Sequence, residues 1–591
     1  MNALEAASLV MIPSGYEDGT LGSLKPTDGT GDFTFTRGSN ISATRVNADG
    51  YIEKGYENLL LQSNSFLTSP WDSREAVVSS GESGYDNTND AWLVLDTTGS
   101  GIHRIAGGSL ALSGVNSVSV YAKAYSNSRY LGLAGFGLAG ADEMPVFDLE
   151  NGTIDTPSTS TIFKDANITS VGGGWYRCSM MFVYSGTSAL SITLCNSATD
   201  NGITGYTYTG TGLNGFYIQD AMINQGMVAY PYVETTTAPV AGGILEDMPR
   251  LDYSNGSCPS LLLEPERTNL ITHSEYLDGS GWSDTGITLT PNAATSPSGL
   301  QNAYLATNND GNQKYIIPSV SISDNTDYSY SVFVKKGNDD IYQIKIFNSD
   351  FSESLQLAFD FSNPQSPTIT DGVTGGSYLD SDVKDFGNDW YRIELSFTSF
   401  DTSLNIRNYI GTLNGANNAT MYYYGFQLEQ GSYPTSYIPT YGVSQTRLGD
   451  DVNLNLSNAW DSTGSWTMFF ELERMNDDYF NALDIMRFDG TGDLYIKDRR
   501  TSVNLVIIGS AGASTANTGT INRGDTYKIA VKWDGTTTKA FFNGGEILFN
   551  NPSSGAYGFN SIPVNRWHIK HKEVYFPTAL SDDKCIELTT I

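Results

Sequence analysis

The chain states one pattern twice, about 210 residues apart. The first copy runs Asn58-Leu-Leu-Leu-Gln-Ser-Asn-Ser-Phe66, then Trp71, Ser117-Val-Ser-Val-Tyr-Ala-Lys123, Gly174-Trp-Tyr-Arg177, and Gln225-Gly226 followed by Tyr230-Pro-Tyr232. The second runs Asn269-Leu-Ile-Thr-His-Ser-Glu-Tyr276, then Trp282, Ser329-Tyr-Ser-Val-Phe-Val-Lys335, Asp389-Trp-Tyr-Arg392, and Gln430-Gly431 followed by Tyr433-Pro434. Matching landmarks stay between 205 and 215 residues apart along the whole copy. Two copies of one domain follow, and duplication without catalytic residues suits a binding or structural protein better than an enzyme.

A chain of 591 residues exceeds one hydrophobic core and implies about three to five domains. Short segments rich in Val, Ile, Tyr and Phe alternate with stretches of Ser, Thr, Asn and Gly, which is the pattern of strands and polar turns. No long run carries a 3.6-residue apolar period, so the fold class reads as all-β. Within the repeats Val118, Val120 and Ala122, and again Tyr330, Val332 and Val334, alternate as in antiparallel sandwiches with one buried face. The net charge is 33 − 65 = −32, which repels nucleic acid and anionic membrane surfaces. The start, Met1-Asn-Ala-Leu-Glu-Ala-Ala-Ser-Leu-Val10, has no basic region and reads as no secretory signal. No stretch approaches the roughly 18–20 apolar residues of a membrane span, so no membrane insertion is expected. Cys178, Cys195, Cys258 and Cys585 lack metal-site spacing, and the second repeat has no match for Cys178 and Cys195, so the fold does not require a bridge there.

Residues 1–57 read as an N-terminal leader containing Phe33-Thr-Phe-Thr-Arg-Gly-Ser39, Ala43-Thr-Arg-Val-Asn47 and Gly50-Tyr-Ile-Glu53. Pro249-Arg-Leu-Asp-Tyr253 and Leu261-Leu-Leu-Glu-Pro-Glu-Arg-Thr-Asn-Leu270 follow about 200 residues later. Together these motifs resemble a large family of tailed-bacteriophage structural proteins, the tail or head fibres and appendages, in which the two groups of motifs lie close in sequence. The first repeat is therefore read as an insertion, with 33–57 and 247–267 brought together in space. The repeats also resemble, more loosely, carbohydrate-binding modules of jelly-roll type. From about 443 the texture changes. Trp533-Asp-Gly535, Phe541-Phe-Asn-Gly544 and Leu580-Ser-Asp-Asp-Lys584 resemble the laminin-G/concanavalin A-like jelly roll.

The expected organisation is a leader over 1–57 for virion attachment, repeat sandwiches over 58–240 and 268–442, linker strands over 241–267 that pair with the leader, and a jelly roll over 443–591. The resemblance implies a virion protein, assembled in a host cytoplasm and extracellular after lysis. It implies other virion proteins and a host cell-surface glycan as partners, and a homo-oligomer, with trimers common in the family.

The chemistry points the same way. There is no Gly-x-Ser-x-Gly elbow, HExxH, Walker loop or dinucleotide fingerprint among the motifs. Nothing in the C-terminal part arranges acids as concanavalin A-like glucanases do; Glu471-Leu-Glu473 comes nearest and lacks their spacing. The chain therefore reads as no enzyme. His568 and His571, three apart in a strand, fall on opposite faces and do not share a metal. Calcium is the one cofactor worth naming, at the oxygen-rich turns Asp489-Gly-Thr-Gly-Asp493 and Asn308-Asn-Asp-Gly-Asn312, through Asp489, Asp493 and Asp310; ordinary turns are the bland reading. Sugar binding rests on aromatic rings, which stack on the apolar faces of pyranoses. Trp71 and Trp282, equivalent in the repeats, are the first candidates, with Tyr422 and Tyr424. The bland reading of Trp71 and Trp282 is core, and it weighs more for Trp175 and Trp390, whereas Tyr422-Tyr-Tyr424 alternates across both faces, so part of it is exposed or at an interface. Arg177 and Arg392 are expected to pair with carboxylates. A decoration or connector protein without sugar binding, or a glycan depolymerase, are the alternatives.

Overall fold

The computed structural model describes residues 3–591 apart from 14, 18, 40, 127–128, 137–143, 157–159, 161, 198–206, 255, 285, 365, 372–377, 411–417, 456–463, 475–482, 491–492, 500–501, 510–511, 523, 550–558 and 565–567. Strands between 483 and 517 and between 559 and 571 are described through their backbone. The fold is all-β: three antiparallel two-sheet sandwiches and short helices, of which Asp582–Thr589 closes the chain. Among the described residues no helix is long and apolar enough to cross a membrane.

The duplication is visible strand by strand. In the first sandwich one sheet has the order Ala76–Glu82, Ala91–Asp96, Gly215–Gln225, Val115–Tyr125, Trp175–Val183, Phe163–Gly172. The second sandwich repeats that order with Ile287–Ala294, Ala303–Asn308, Thr420–Gln430, Asp327–Lys336, Trp390–Thr398, Tyr378–Asp385. The opposing sheets match as well: Asp72–Arg74, Arg104–Ala106, Gly186–Cys195, Tyr130–Phe136, Val146–Asp148, Thr153–Asp155 against Trp282–Asp284, Tyr315–Pro318, Asn405–Ile410, Ile341–Phe347, Ser354–Asp360, Thr368–Asp371. Val118, Val120 and Ala122 enter the first core, and Tyr330, Val332 and Val334 the second. Cys178 and Cys195 are buried free thiols.

The closing segments align differently from the sequence expectation. Arg177 donates to the Tyr230 carbonyl as Arg392 does to Thr435, and Ser63 meets the Tyr232 hydroxyl as Ser274 meets Tyr437. Tyr232 is thus the counterpart of Tyr437, and the Tyr433-Pro434 match is superseded. Arg392 does pair with a carboxylate, Glu394, at 3.2 Å. Arg177 instead donates to Ser119 Oγ and a main-chain carbonyl.

The expected leader is corrected more deeply. Residues 1–57 are no separate attachment segment, and 443–591 is no self-contained jelly roll. Leu9–Met11 pairs with His568–Phe576, and Phe33–Thr36 pairs with Asp451–Asn455. Leu251–Asp252 and Ser260–Leu261 extend the same sheet as Leu9–Met11. Leu9, Met11, Phe33, Phe35, Leu251 and Leu261 then share one core with Trp466, Phe470 and Ile529. The reason is apolar closure: the alternation Phe33-Thr-Phe-Thr36 presents two rings to one side, and the C-terminal strands supply much of the apolar face that covers them. Both repeats are insertions into this third sandwich.

The family-like motifs meet where the insertions leave it. Val46 N–H donates to Asp252, and Tyr253 N–H to the Val46 carbonyl, so 43–53 lies against 247–267. Arg37, Arg250, Arg447, Glu264 and Asp450 form one fully buried ionic knot. Arg250 reaches Glu264 at 2.7 Å and also Asp450; Arg447 reaches Glu264 at 2.8 Å; Arg37 reaches Asp450 at 3.3 Å. The third guanidinium is accommodated by main-chain oxygens: Arg37 also donates to the Leu245, Met248 and Ser39 carbonyls. Burial pushes the Glu264 carboxyl up, but the Arg447 and Arg250 guanidinium groups override it and hold the group at about 2. These motif residues therefore serve as the structural joint between the second and third sandwiches.

Candidate binding face on the first sandwich

Each sequence candidate has a definite place. Trp71 is 7% exposed, packs edge-on against Phe66 at 4.7 Å, and donates its indole N–H to the Leu61 and Gln62 carbonyls. Trp282 makes the same tie to the His273 carbonyl and packs against Phe426 at 4.6 Å. Both tryptophans pin the first loop of their sandwich to the core; Trp71 is buried there and Trp282 is half-buried. Tyr424 is 1% exposed, with its hydroxyl 3.2 Å from Glu275 Oε1, and is also core. Tyr422 is half-buried on the outer side of the sheet.

Of the calcium candidates, Asp310 has a described side chain. Asp310 Oδ1 accepts from the Asn312 N–H, and Oδ2 lies 3.0 Å from Lys314 Nζ, so the turn uses its own oxygens. That Asn312 hydrogen bond holds the Asp310 carboxyl below its ordinary value. The Asp489 and Asp493 side chains lie outside the described residues, as do those of His568 and His571. Among the described residues no three His, Cys, Asp or Glu side chains are placed to hold a metal ion.

What the structure does assemble is a row of rings that the sequence reading passed over. On Val115–Tyr125 the residues between the core positions are Tyr121, Lys123 and Tyr125. Lys123 lies directly opposite Trp175 on one neighbouring strand and Tyr217 on the other. Tyr85, from the loop before Ala91–Asp96, stacks flat on Tyr121 at 3.8 Å and 6°. Trp175 is 6.4 Å from both Tyr85 and Tyr217, and Tyr217 meets Tyr125 edge-on at 5.4 Å. Tyr85, Tyr121, Tyr125, Tyr217 and Lys123 are half-buried and reach solvent, while Trp175 between them is buried at 3% exposure.

The loop that carries Tyr85 is fixed from below. Gln219 accepts from the Tyr85 N–H and donates to Asp86 and Asp90. The Tyr85 hydroxyl donates to Asp220 at 2.9 Å. Burial, with Asp90 and Asp86 nearby, raises the Asp220 carboxyl to about 6 even against that hydrogen bond. Asp220 lies beneath Tyr85 and faces the loop, and its work is to hold the ring.

The second sandwich carries Trp390, Lys335 and Tyr422 in the same register, with Lys335 and Tyr422 half-buried like their counterparts, but it closes the row at Phe333 and Tyr424. Phe333 replaces Tyr121 and Tyr424 replaces Gln219 at the paired positions. Ile52, Tyr437 and Phe386 pack over them, and the Trp390 indole donates to the Thr295 carbonyl. Beneath this cover Lys54 Nζ lies 2.5 Å from Glu275 Oε1, with the Tyr424 and Tyr437 hydroxyls on the same oxygen.

No protein-family model matches the chain, and no curated protein does. Among solved structures it is similar to the N-terminal CBM22-1–CBM22-2 tandem domain from Paenibacillus barcinonensis Xyn10C, at 11% identity over 64% of this chain and 98% of that one, with a TM-score of 0.20. It is similar to domains LG4-5 of the mouse laminin alpha1 chain, at 8% identity over 53% and 95% of the two chains, with a TM-score of 0.16. It is also similar to the binding domain of botulinum neurotoxin serotype D, at 13% identity over 24% of this chain and a TM-score of 0.20; the chain spans 40% of that domain's length. At these TM-scores none of the three bears on what this chain binds.

Proposed function

We propose that this chain is a non-catalytic glycan-binding protein whose ligand lies across the open aromatic row of the first sandwich, and that it serves as an appendage of a tailed-phage particle that holds a host-surface glycan. One observation carries the binding half of this reading: Tyr121 is half-exposed on the first sandwich, whereas its counterpart Phe333 is buried beneath Ile52, Tyr437 and Phe386 on the second. Rings already fixed by stacking and by Gln219 and Asp220 can meet the C–H face of a pyranose with little further loss of freedom. Lys123, between Trp175 and Tyr217, supplies a donor to sugar hydroxyls. The particle setting is supported by the sequence motifs alone. Several copies on one particle would raise the avidity of a weak single site.

The test is a glycan array, with whole host cells in parallel, on the purified chain and on Tyr121→Ala, Tyr217→Ala and Tyr422→Ala. Binding is expected to be lost in the first two and kept in the third. Loss in Tyr422→Ala alone would move the site to the second sandwich. A folded protein that holds no glycan and no cell would replace this reading with a connector role in the particle.

A further inference from the structure

The outer side of the other sheet in the second sandwich holds an unusual charge arrangement. Arg407 and Lys345 are direct cross-strand neighbours on Asn405–Ile410 and Ile341–Phe347. Like charges at such positions repel. The chain has 65 acids for 33 Lys and Arg, yet neither cation has a carboxylate partner among the described residues. Arg407 Nε donates to Asn405 Oδ1 at 3.0 Å. Of the acids in the neighbouring turns, Asp350 is engaged by Ser352 and Asp401 by the Ser349 and Ser403 N–H groups.

Aromatic rings frame the guanidinium. Arg407 Cζ lies 4.3 Å from the centre of Tyr315, 4.8 Å from Phe347 and 4.9 Å from Phe351. Lys345 Nζ lies 4.7 Å from Phe347. Such contacts orient a cation without neutralising it. Phe351 is 51% exposed and has a φ of 61°, a left-handed conformation that a bulky side chain adopts at a cost. Phe351 also lies 5.4 Å from Phe347, so it walls the two cations while half of its surface stays exposed.

We propose that this patch is a second binding site, for a carboxylate-bearing sugar unit. The planar Arg407 fork takes the carboxylate, Lys345 adds a second charge, and the pyranose lies against Phe351. A uronic acid places a rigid apolar face next to its charge, which matches this spacing of ring and cation. The site is on a different sandwich from the Tyr121–Trp175 row and stands independently of it.

Titration calorimetry on the full chain tests it, with trigalacturonic acid and its fully methyl-esterified form as paired probes. The acid is expected to bind and to weaken with added salt, and the ester to bind about tenfold or more weakly. Arg407→Gln should lose about tenfold or more, and Phe351→Asn, which tolerates the same backbone, should lose affinity too. Lys336→Gln, at an exposed cation outside both sites, should leave acid binding unchanged. Equal binding of acid and ester by the unaltered protein would overturn the proposal, as would full affinity in Arg407→Gln. So would sedimentation showing that Arg407→Gln dissociates an oligomer while the acid binds neither form, because the patch would then hold the acidic surface of a second copy.

Discussion

The two repeats share one fold and one row of outward residues, yet use them in opposite ways. In the second sandwich Phe333, Trp390 and Tyr424 are closed beneath Ile52, Tyr437 and Phe386. In the first, Tyr121, Tyr125 and Tyr217 remain half-exposed, with the loop bearing Tyr85 and the Arg177 guanidinium set against Tyr121. The difference teaches that a duplicated face is committed by what folds over it. Ile52 belongs to the segment between the third sandwich and the first repeat, and it leans on the second repeat through its N–H to the Pro297 carbonyl. The second sandwich is thereby part of the frame, and the first keeps its face free.

The largest effect that would break this comparison is at Glu275. Glu275→Ala leaves Lys54 buried without its acid and is expected to destabilise the protein by about 3–5 kcal/mol in denaturant unfolding. The equivalent Asn64→Ala, at a partly exposed hydrogen bond to Asp90, should cost about 1 kcal/mol. Equal losses would mean that the two faces are not differently committed. Next in size, Phe333→Ala should cost about 3–5 kcal/mol as a core truncation. Tyr121→Ala should cost well under half of that and appear chiefly as lost glycan binding. Ile52→Ala removes part of the cover and should cost about 2 kcal/mol; hydrogen exchange of Asp327–Lys336 would report whether the closed part of the row opens with it.

The smallest effects are in pH. Asp220 has its folded value raised to about 6. Its contribution to stability is therefore complete below the unfolded value near 4 and is lost as pH rises through about 6. Asp220→Asn should flatten that limb in thermal melts between pH 5 and 7, and a limb unchanged by the substitution would place the titration elsewhere. Glu264 works with the opposite sign: held at about 2, it stabilises the joint above the ordinary carboxylate range, and that contribution is lost as pH falls toward 2.

Much of the fold was legible. Constant spacing revealed the duplication, and the alternation at Val118, Val120 and Ala122 named the core side of a strand. Its complement, Tyr121, Lys123 and Tyr125, was readable from the same alternation and is the signal that could have found the open row. The candidate tryptophans were chosen for being large and repeated, but Trp71 and Trp282 repeat because the same loop must be pinned in both sandwiches. Tyr422 was named and its partner Tyr217 was not, because Tyr422 stands in a conspicuous run of three tyrosines while Tyr217 stands alone. The motifs at Arg37, Arg250 and Glu264 were recognisable as a set. Their meeting with Arg447 and Asp450 was not, since those two lie about 200 residues farther along the chain.

By itself the sequence determined the local matters: strands from alternation, turns from Gly and Asn, and two sandwiches from one pattern written twice. These depend on near neighbours, and near neighbours are written in order. Tertiary structure alone decided that Leu9–Met11 would close a sheet with His568–Phe576, that five distant charges would share one buried joint, and that the aromatic row would be closed at Phe333 in one repeat and left open at Tyr121 in the other. Those outcomes depend on which apolar face lacks a partner once the strands exist, and that is a property of the assembled surfaces.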